Sequence, residues 1–359
     1  MAKIRICVLP WLILLFCLFI APAHGQNGQS QGQGSDRARQ EKILREAASR
    51  SLNSLGVFYY EDRQYAKAIR ILEDALKYDS TSENIRINLA MVYLQQGEFE
   101  KIIETLASSF KISQPDQRSL TALAVAYFAL GNYDQAIPYY EKLAERDPKD
   151  LLLRLTLAGA YKLSGNEAEK EKLLKQLPND ELTRAQYHII LADAHRSRTR
   201  VPEAVAEYEK ALSLAPKLSG VNFWLGVLYS DLHSYVKAAE AFQRELQINP
   251  QSADASYSLG AYFLSYGADV DQAQHYFQKT LQLSPNHSGG YLGLIKVQLI
   301  LGKPAQALEW AQRAEEKGAT GEEFHYLKSR ALNLLGKKQL AERELKIYEE
   351  MKNNQKNTR

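Results

Sequence analysis

The chain has 359 residues, 45% of them apolar, and its 45 Lys plus Arg against 42 Asp plus Glu leave a formal charge of +3. That balance argues against nucleic-acid binding, which calls for a strong basic excess. Both cysteines, Cys7 and Cys17, fall in an N-terminal segment expected to be removed, so disulfide frameworks, thiolate metal sites and cysteine nucleophiles are excluded together.

Residues 1–25 read as a secretory signal peptide. Lys3 and Arg5 precede an apolar run from Ile6 to Ile20, and Ala21-Pro22-Ala23-His24-Gly25 offers cleavage after Ala23 or Gly25. Removal lowers the basic excess from three to one and sends the chain to a periplasmic or secreted location. An uncleaved anchor over Ile6–Ala23 is the competing reading, near the lower length limit for a membrane span. Residues 26–35, QNGQSQGQGS, contain nothing that builds a core and read as a flexible tether. Asp36–Ser49 is charged and helix-prone and extends the first helix toward that tether.

From there a 34-residue period organises the chain. Leucine recurs at Leu55, Leu89, Leu123, Leu157, Leu191, Leu225 and Leu259, continued with slips at Leu294 and Leu327. Small residues follow directly, as Gly56, Ala90, Ala124, Ala158, Ala192, Gly226 and Gly260, and leave room for a neighbouring helix. Four residues past the leucines stand Tyr59, Tyr93, Tyr127, Tyr161, His195, Tyr229 and Phe263. Alanine recurs thirteen residues past them at Ala68, Ala136, Ala204 and Ala238, and prolines close units at Pro148, Pro216, Pro250 and Pro285. Positions 4, 7, 8 and 11 of each unit share one helical face. A turn at Gly97, Gly131, Gly165, Gly267 or Gly302 leads into a second amphipathic helix. Ten of the 21 tyrosines fall at structural positions of the unit: Tyr59, Tyr93, Tyr127, Tyr161 and Tyr229 at position 11, Tyr65, Tyr133 and Tyr235 at 17, and Tyr140 and Tyr208 at 24.

This pattern resembles the tetratricopeptide repeat family, W-x₂-L-G-x₂-Y followed by A-x₃-F and P. The resemblance implies an all-α, right-handed superhelical solenoid over 36–354, with nine repeats at 49–82, 83–116, 117–150, 151–184, 185–218, 219–252, 253–287, 288–320 and 321–354. Residues 355–359 form a frayed, disordered tail. In the fourth unit Lys170 replaces the alanine and Pro178 ends the second helix early, either a shortened helix or a hinge. Gln298, Lys328 and Ala331 break the pattern in the last two units, as expected of a polar terminal cap.

No nucleophile elbow, phosphate-binding glycine loop or HExxH motif is present, and no cofactor or metal is expected. His188 and His195 are seven apart on one helix face, yet they occupy packing positions and lack an evident third ligand. Asn286-His287-Ser288 is a glycosylation sequon, meaningful in a eukaryotic host. The resemblance places a partner-binding groove on a second face of each first helix. Carried over position by position, it comprises Ile87, Met91, Leu94, Arg118, Thr121, Val125, Phe128, Leu155, Lys162, Ile189, Asp193, Arg196, Phe223 and Val227. The same side chains could instead pack between adjacent first helices. The Lys and Asn of chaperone-tail clamps are missing: the corresponding positions read Asn53, Ile87 and Thr121, then Val57, Met91 and Val125. The expected function is a non-enzymatic exported scaffold binding a peptide segment or partner protein, with cell-envelope assembly or secretion as a setting by analogy alone. A glycan or cell-wall binder using Tyr60, Tyr257 and Tyr291 is the alternative, and a metal enzyme at His188 and His195 the third.

Overall fold

The computed structural model describes residues 30–107 and 116–357. The signal-peptide segment, the first four residues of the tether and the last two of the tail lie outside them. Among the described residues all regular structure is helical. The helices come in consecutive pairs: α1 (Ser30–Glu61) with α2 (Tyr65–Tyr78), α3 (Glu83–Gln96) with α4 (Phe99–Ala107), and α5 (Gln117–Ala129) with α6 (Tyr133–Arg146). Next come α7 (Leu151–Ser164) with α8 (Glu167–Leu174), α9 (Glu181–Ser197) with α10 (Val201–Leu214), and α11 (Val221–Asp231) with α12 (Tyr235–Ile248). Then follow α13 (Ala253–Ser265) with α14 (Val270–Leu283), α15 (Ser288–Ile300) with α16 (Pro304–Glu316), and α17 (Glu322–Leu334) with α18 (Lys338–Asn357). This is the all-α helical-repeat class that the period implies. Two expectations at the ends are corrected. Residues 30–35 continue α1 rather than forming a tether, and 355–357 continue α18.

The chain divides into two compact units, 1–92 and 93–359, with the division inside α3. It does not fall at the fourth repeat, where a hinge was an alternative. In the first unit α1 packs on α2, and the Leu72 side chain seats against Gly56, where a β-carbon would lie 2.6 Å from it.

In the second unit each pair packs on itself and on the first helix of the next pair, because neither helix can bury its stripe alone. One cluster joins Leu120, Ala124, Ala136 and Tyr140 of the third repeat to Leu157 and Tyr161 of the fourth. Another joins Ala192, Ala204 and Tyr208 to Leu225 and Ala241. Several first helices begin on a side-chain cap: Asp116 accepts from the Arg118 N–H, Asp150 from Leu153, Asp180 from Thr183, Ser252 from Ala255 and Asp269, opening a second helix, from Gln272. α11 has only Gly220 at its start, and a neighbour supplies the cap. The Glu245 carboxylate of α12, 1% exposed, accepts from the Gly220 N–H at 2.8 Å and places negative charge at the helix N-terminus.

The helix-to-helix turn needs one left-handed residue. Gly131, Gly165 and Gly302 provide it, whereas Thr199, His233 and Ala268 adopt it without being glycine, at φ of 55°, 56° and 48°. The seventh turn is therefore carried by Ala268 rather than by Gly267. In the fourth repeat α8 is eight residues long and buries none of them; it stops before Pro178, and Leu177 is buried beyond it. The closing helix α18 is polar, as a terminal cap was expected to be, with mostly charged and amide side chains exposed. The departures from the repeat pattern do not all face water. Gln298 is buried and donates to Gln274 at 3.1 Å, Lys328 pairs with Glu315 and Glu344, and Leu334 and Leu340 stand exposed.

Candidate functional site

The face expected to bind lies on the first helices, and its residues separate into three kinds. Ile87 and Leu155 are 1% and 0% exposed. They belong to the core and are corrected from groove to packing. Arg118 and Lys162 are exposed and locally paired, Arg118 with Asp116 at 3.0 Å and Lys162 with Glu167 at 2.7 Å. Such surface pairs hold their partners weakly. The rest, Met91, Leu94, Thr121, Val125, Phe128, Ile189, Asp193, Arg196, Phe223 and Val227, are half-buried. Phe128 rests edge-on against Tyr133 and Tyr140, with centroids 5.3 and 6.0 Å apart. Phe223 meets Trp224 and Phe242 at 5.2 and 5.9 Å.

Asp193 and Arg196 are joined in a polar network that the sequence did not reveal. Buried Tyr208 donates to Asp193 at 2.5 Å, Arg196 donates to the same carboxylate at 3.2 Å, and the Arg196 guanidinium lies 3.8 Å from the Trp224 ring centroid. Burial, assisted by Asp193, pushes the Tyr208 hydroxyl far above its ordinary range. Burial opposes the Arg196 charge, but Tyr208 and Asp193 outweigh it and raise the pKa. The Asp193 carboxylate and the Trp224 ring face hold this guanidinium, and it joins the fifth repeat to the sixth.

A cavity of about 320 Å³ opens on this face between α11 and α13. α13 touches α15, and α15 touches α17, whereas α11 and α13 lie less close. Val227, Ser230 and Asp231 come from α11, Tyr235, Ala238 and Phe242 from α12, and Tyr257, Ala261, Tyr262 and Tyr266 from α13 and its end. Tyr235 and Tyr266 stack at its lip, 3.6 Å between centroids and 13° between planes. Of the residues expected on this face, Val227, Ser230 and Asp231 of α11 line the cavity. Those of α12 and α13 were missed because the opening depends on how neighbouring helices are spaced, and no pattern along one helix encodes that.

The alternatives fare differently. Tyr257 lines the cavity, with its ring 4.9 Å from His287. Tyr291 is 5% exposed and its hydroxyl donates to the Pro285 carbonyl, so it is a core residue and not a glycan platform. Tyr60 is half-buried beside Tyr65. His188 Nδ1 lies 2.6 Å from Glu207, and burial lowers the His195 pKa. Among the described residues no group of three or more His, Cys, Asp or Glu is placed to hold a metal. None of the described helices is long and apolar enough to cross a membrane.

Three tetratricopeptide repeat family models match residues 35–180, 190–253 and 268–331. The chain belongs to the tetratricopeptide repeat family. Curated relatives include human protein O-mannosyl-transferase TMTC1, 27% identical over 151 residues, which are 41% of this chain and 17% of that protein. Subunit 3 of the anaphase-promoting complex of Schizosaccharomyces pombe is 27% identical over 99 residues, 28% of this chain and 15% of that one. The matched stretches thus span about a sixth of these relatives. Among solved structures, MamA from Desulfovibrio magneticus is 16% identical, with a TM-score of 0.44 over 48% of this chain and 97% of that one. PilW, described as a type IV pilus biogenesis factor, is 17% identical, with a TM-score of 0.41 over 65% and 91%. A tetratricopeptide repeat of this kind is a protein-interaction scaffold.

Proposed function

We propose that this tetratricopeptide repeat protein is an exported, non-enzymatic scaffold that holds an extended segment of a partner protein against its first helices. The observation that supports it is the set of half-buried apolar and aromatic side chains, Val125, Phe128, Phe223, Val227 and Tyr262, that the repeat packing leaves uncovered on those helices. Repeat packing satisfies second helices such as α10, which buries the regular stripe Ala204, Tyr208 and Ala211. An uncovered face of this kind suits an extended chain or an amphipathic helix of a partner. Export rests on the basic, apolar and small-residue pattern of residues 1–25.

Two experiments test the reading. Phe128→Asp and Phe223→Asp should each abolish partner retention while ellipticity is unchanged; retention by both folded variants contradicts the groove assignment. Fractionation with N-terminal sequencing tests export, and a cytosolic protein that retains Met1 contradicts it.

A further inference from the structure

The α11–α13 cavity has a definite charge character. Asp231 is the sole charged residue among its lining groups, is exposed, and makes no ion pair or side-chain hydrogen bond among the described residues. It is the last residue of α11, the end at which a helix disfavours an anion. α13 also ends at the cavity, at Ser265. The negative ends of two helices therefore converge on an unpaired carboxylate, opposed by the N-terminus of α12 at Tyr235. The remaining lining is largely apolar and aromatic, with Phe242, Tyr257 and Tyr262 among it. Residues 219–287 contain six acidic residues against three basic ones in a chain whose total is +3.

These features fit a long side chain with an apolar stem and a cationic head. Aromatic faces attract a cation through their quadrupoles, and the carboxylate supplies a charge-assisted acceptor. A cavity of about 320 Å³ is at the small end of ligand sites, suited to a single side chain. An acidic or neutral polar anchor would leave Asp231 repelled or unpaired.

We propose that this cavity is the specificity pocket of the scaffold and takes a lysine or arginine side chain of the partner, its stem against Phe242 and Tyr257 and its head paired with Asp231. The assignment rests on the peptide-binding reading above. It makes the partner segment basic at one fixed position, and electrostatic attraction to repeats six and seven would speed its arrival.

The test is selection of a random dodecapeptide library on the full chain, followed by titration of the selected peptides. Asp231→Asn keeps shape and removes charge; at a helix C-terminus it should leave the fold intact, which ellipticity verifies. The expected result is a shared Lys or Arg, affinity lowered tenfold or more by Asp231→Asn, and recovery of binding by Asp231→Lys for peptides in which Glu replaces that basic residue. Selected peptides that lack a common basic residue, or that bind Asp231→Asn as tightly as the native chain, overturn the cation pocket and leave the peptide-binding reading standing. A library from which nothing is retained overturns both.

Discussion

Gly293→Ala tests the packing account at a site where two physical effects oppose each other. Gly293 lies on α15 against the Phe277 ring, and a β-carbon there would come within 2.6 Å of three ring carbons. The ring is 1% exposed and also lies against Gly260, where a β-carbon would stand 2.7 Å from it. A buried ring packed this closely has little room to move. Overpacking a filled core costs about 1–3 kcal/mol, while alanine improves helix propensity by ~1 kcal/mol. The expected net is a loss of up to ~2 kcal/mol. Gly159→Ala is the contrast. Its β-carbon meets Ile190 at 3.1 Å and little else, so the expected result lies between neutrality and a gain of ~1 kcal/mol. Urea unfolding followed by ellipticity gives the comparison, with amide exchange across α13–α15 because repeat arrays can open in parts. Phe277→Leu should cost less in the Gly293→Ala background than alone, a coupling visible in the double-mutant cycle. A Gly293→Ala chain that is more stable than the native one by ~1 kcal/mol refutes the clamp.

Other sites give independent checks. Leu155→Ala should lower stability by ~2–5 kcal/mol and leave partner affinity at saturating folded protein unchanged, in contrast to the Phe128 and Phe223 variants; urea unfolding and titration separate the two effects. Thr199→Gly relieves a β-branched residue at φ 55° and should raise the urea midpoint, with a gain below ~1 kcal/mol after the unfolded-state entropy of glycine is counted. Burial alone would raise the Glu207 carboxyl, but hydrogen bonds from His188 and Lys210 outweigh it and hold the group at about 2 against an ordinary 4.5. The folded form therefore prefers the charged carboxylate, and its stabilisation is full above pH 4.5 and is lost as pH falls toward 2. Glu207→Gln should lower stability at pH 7 and flatten its acid dependence in that window, as acid titration of unfolding will show.

The repeat and its helices were legible because packing repeats every 34 residues. Leu123 and Ala136 occupy the same repeat positions as Leu225 and Ala238 and all four are buried, so each unit confirms the phase of the others. The small residue after each leucine was read as room for a helix, and the structure shows what fills it: Phe242 against Gly226 and Phe277 against Gly260. The binding face was read less well. Ile87 and Leu155 occupy the same repeat position as half-buried Thr121, yet they are fully covered, since that position sits at the edge of the packing stripe and local helix spacing decides its exposure. Tyr235 was counted as structural by its position in the repeat, but it stacks on Tyr266 at the lip of the cavity. That pairing joins residues on α12 and past the end of α13, and the repeat template contains no such contact. Tyr291 shows the opposite error, since it stands outside the template and still packs in the core.

Site-specific photocrosslinking of the full chain in its native host tests the central claim most directly, that the first helices hold a partner polypeptide. A crosslinking residue placed in turn at Phe128, Phe223 and Tyr262 should capture one and the same polypeptide, while Glu240 and Gln278 on exposed faces of second helices should capture none. Capture from the second helices alone, or none from the first, would contradict it.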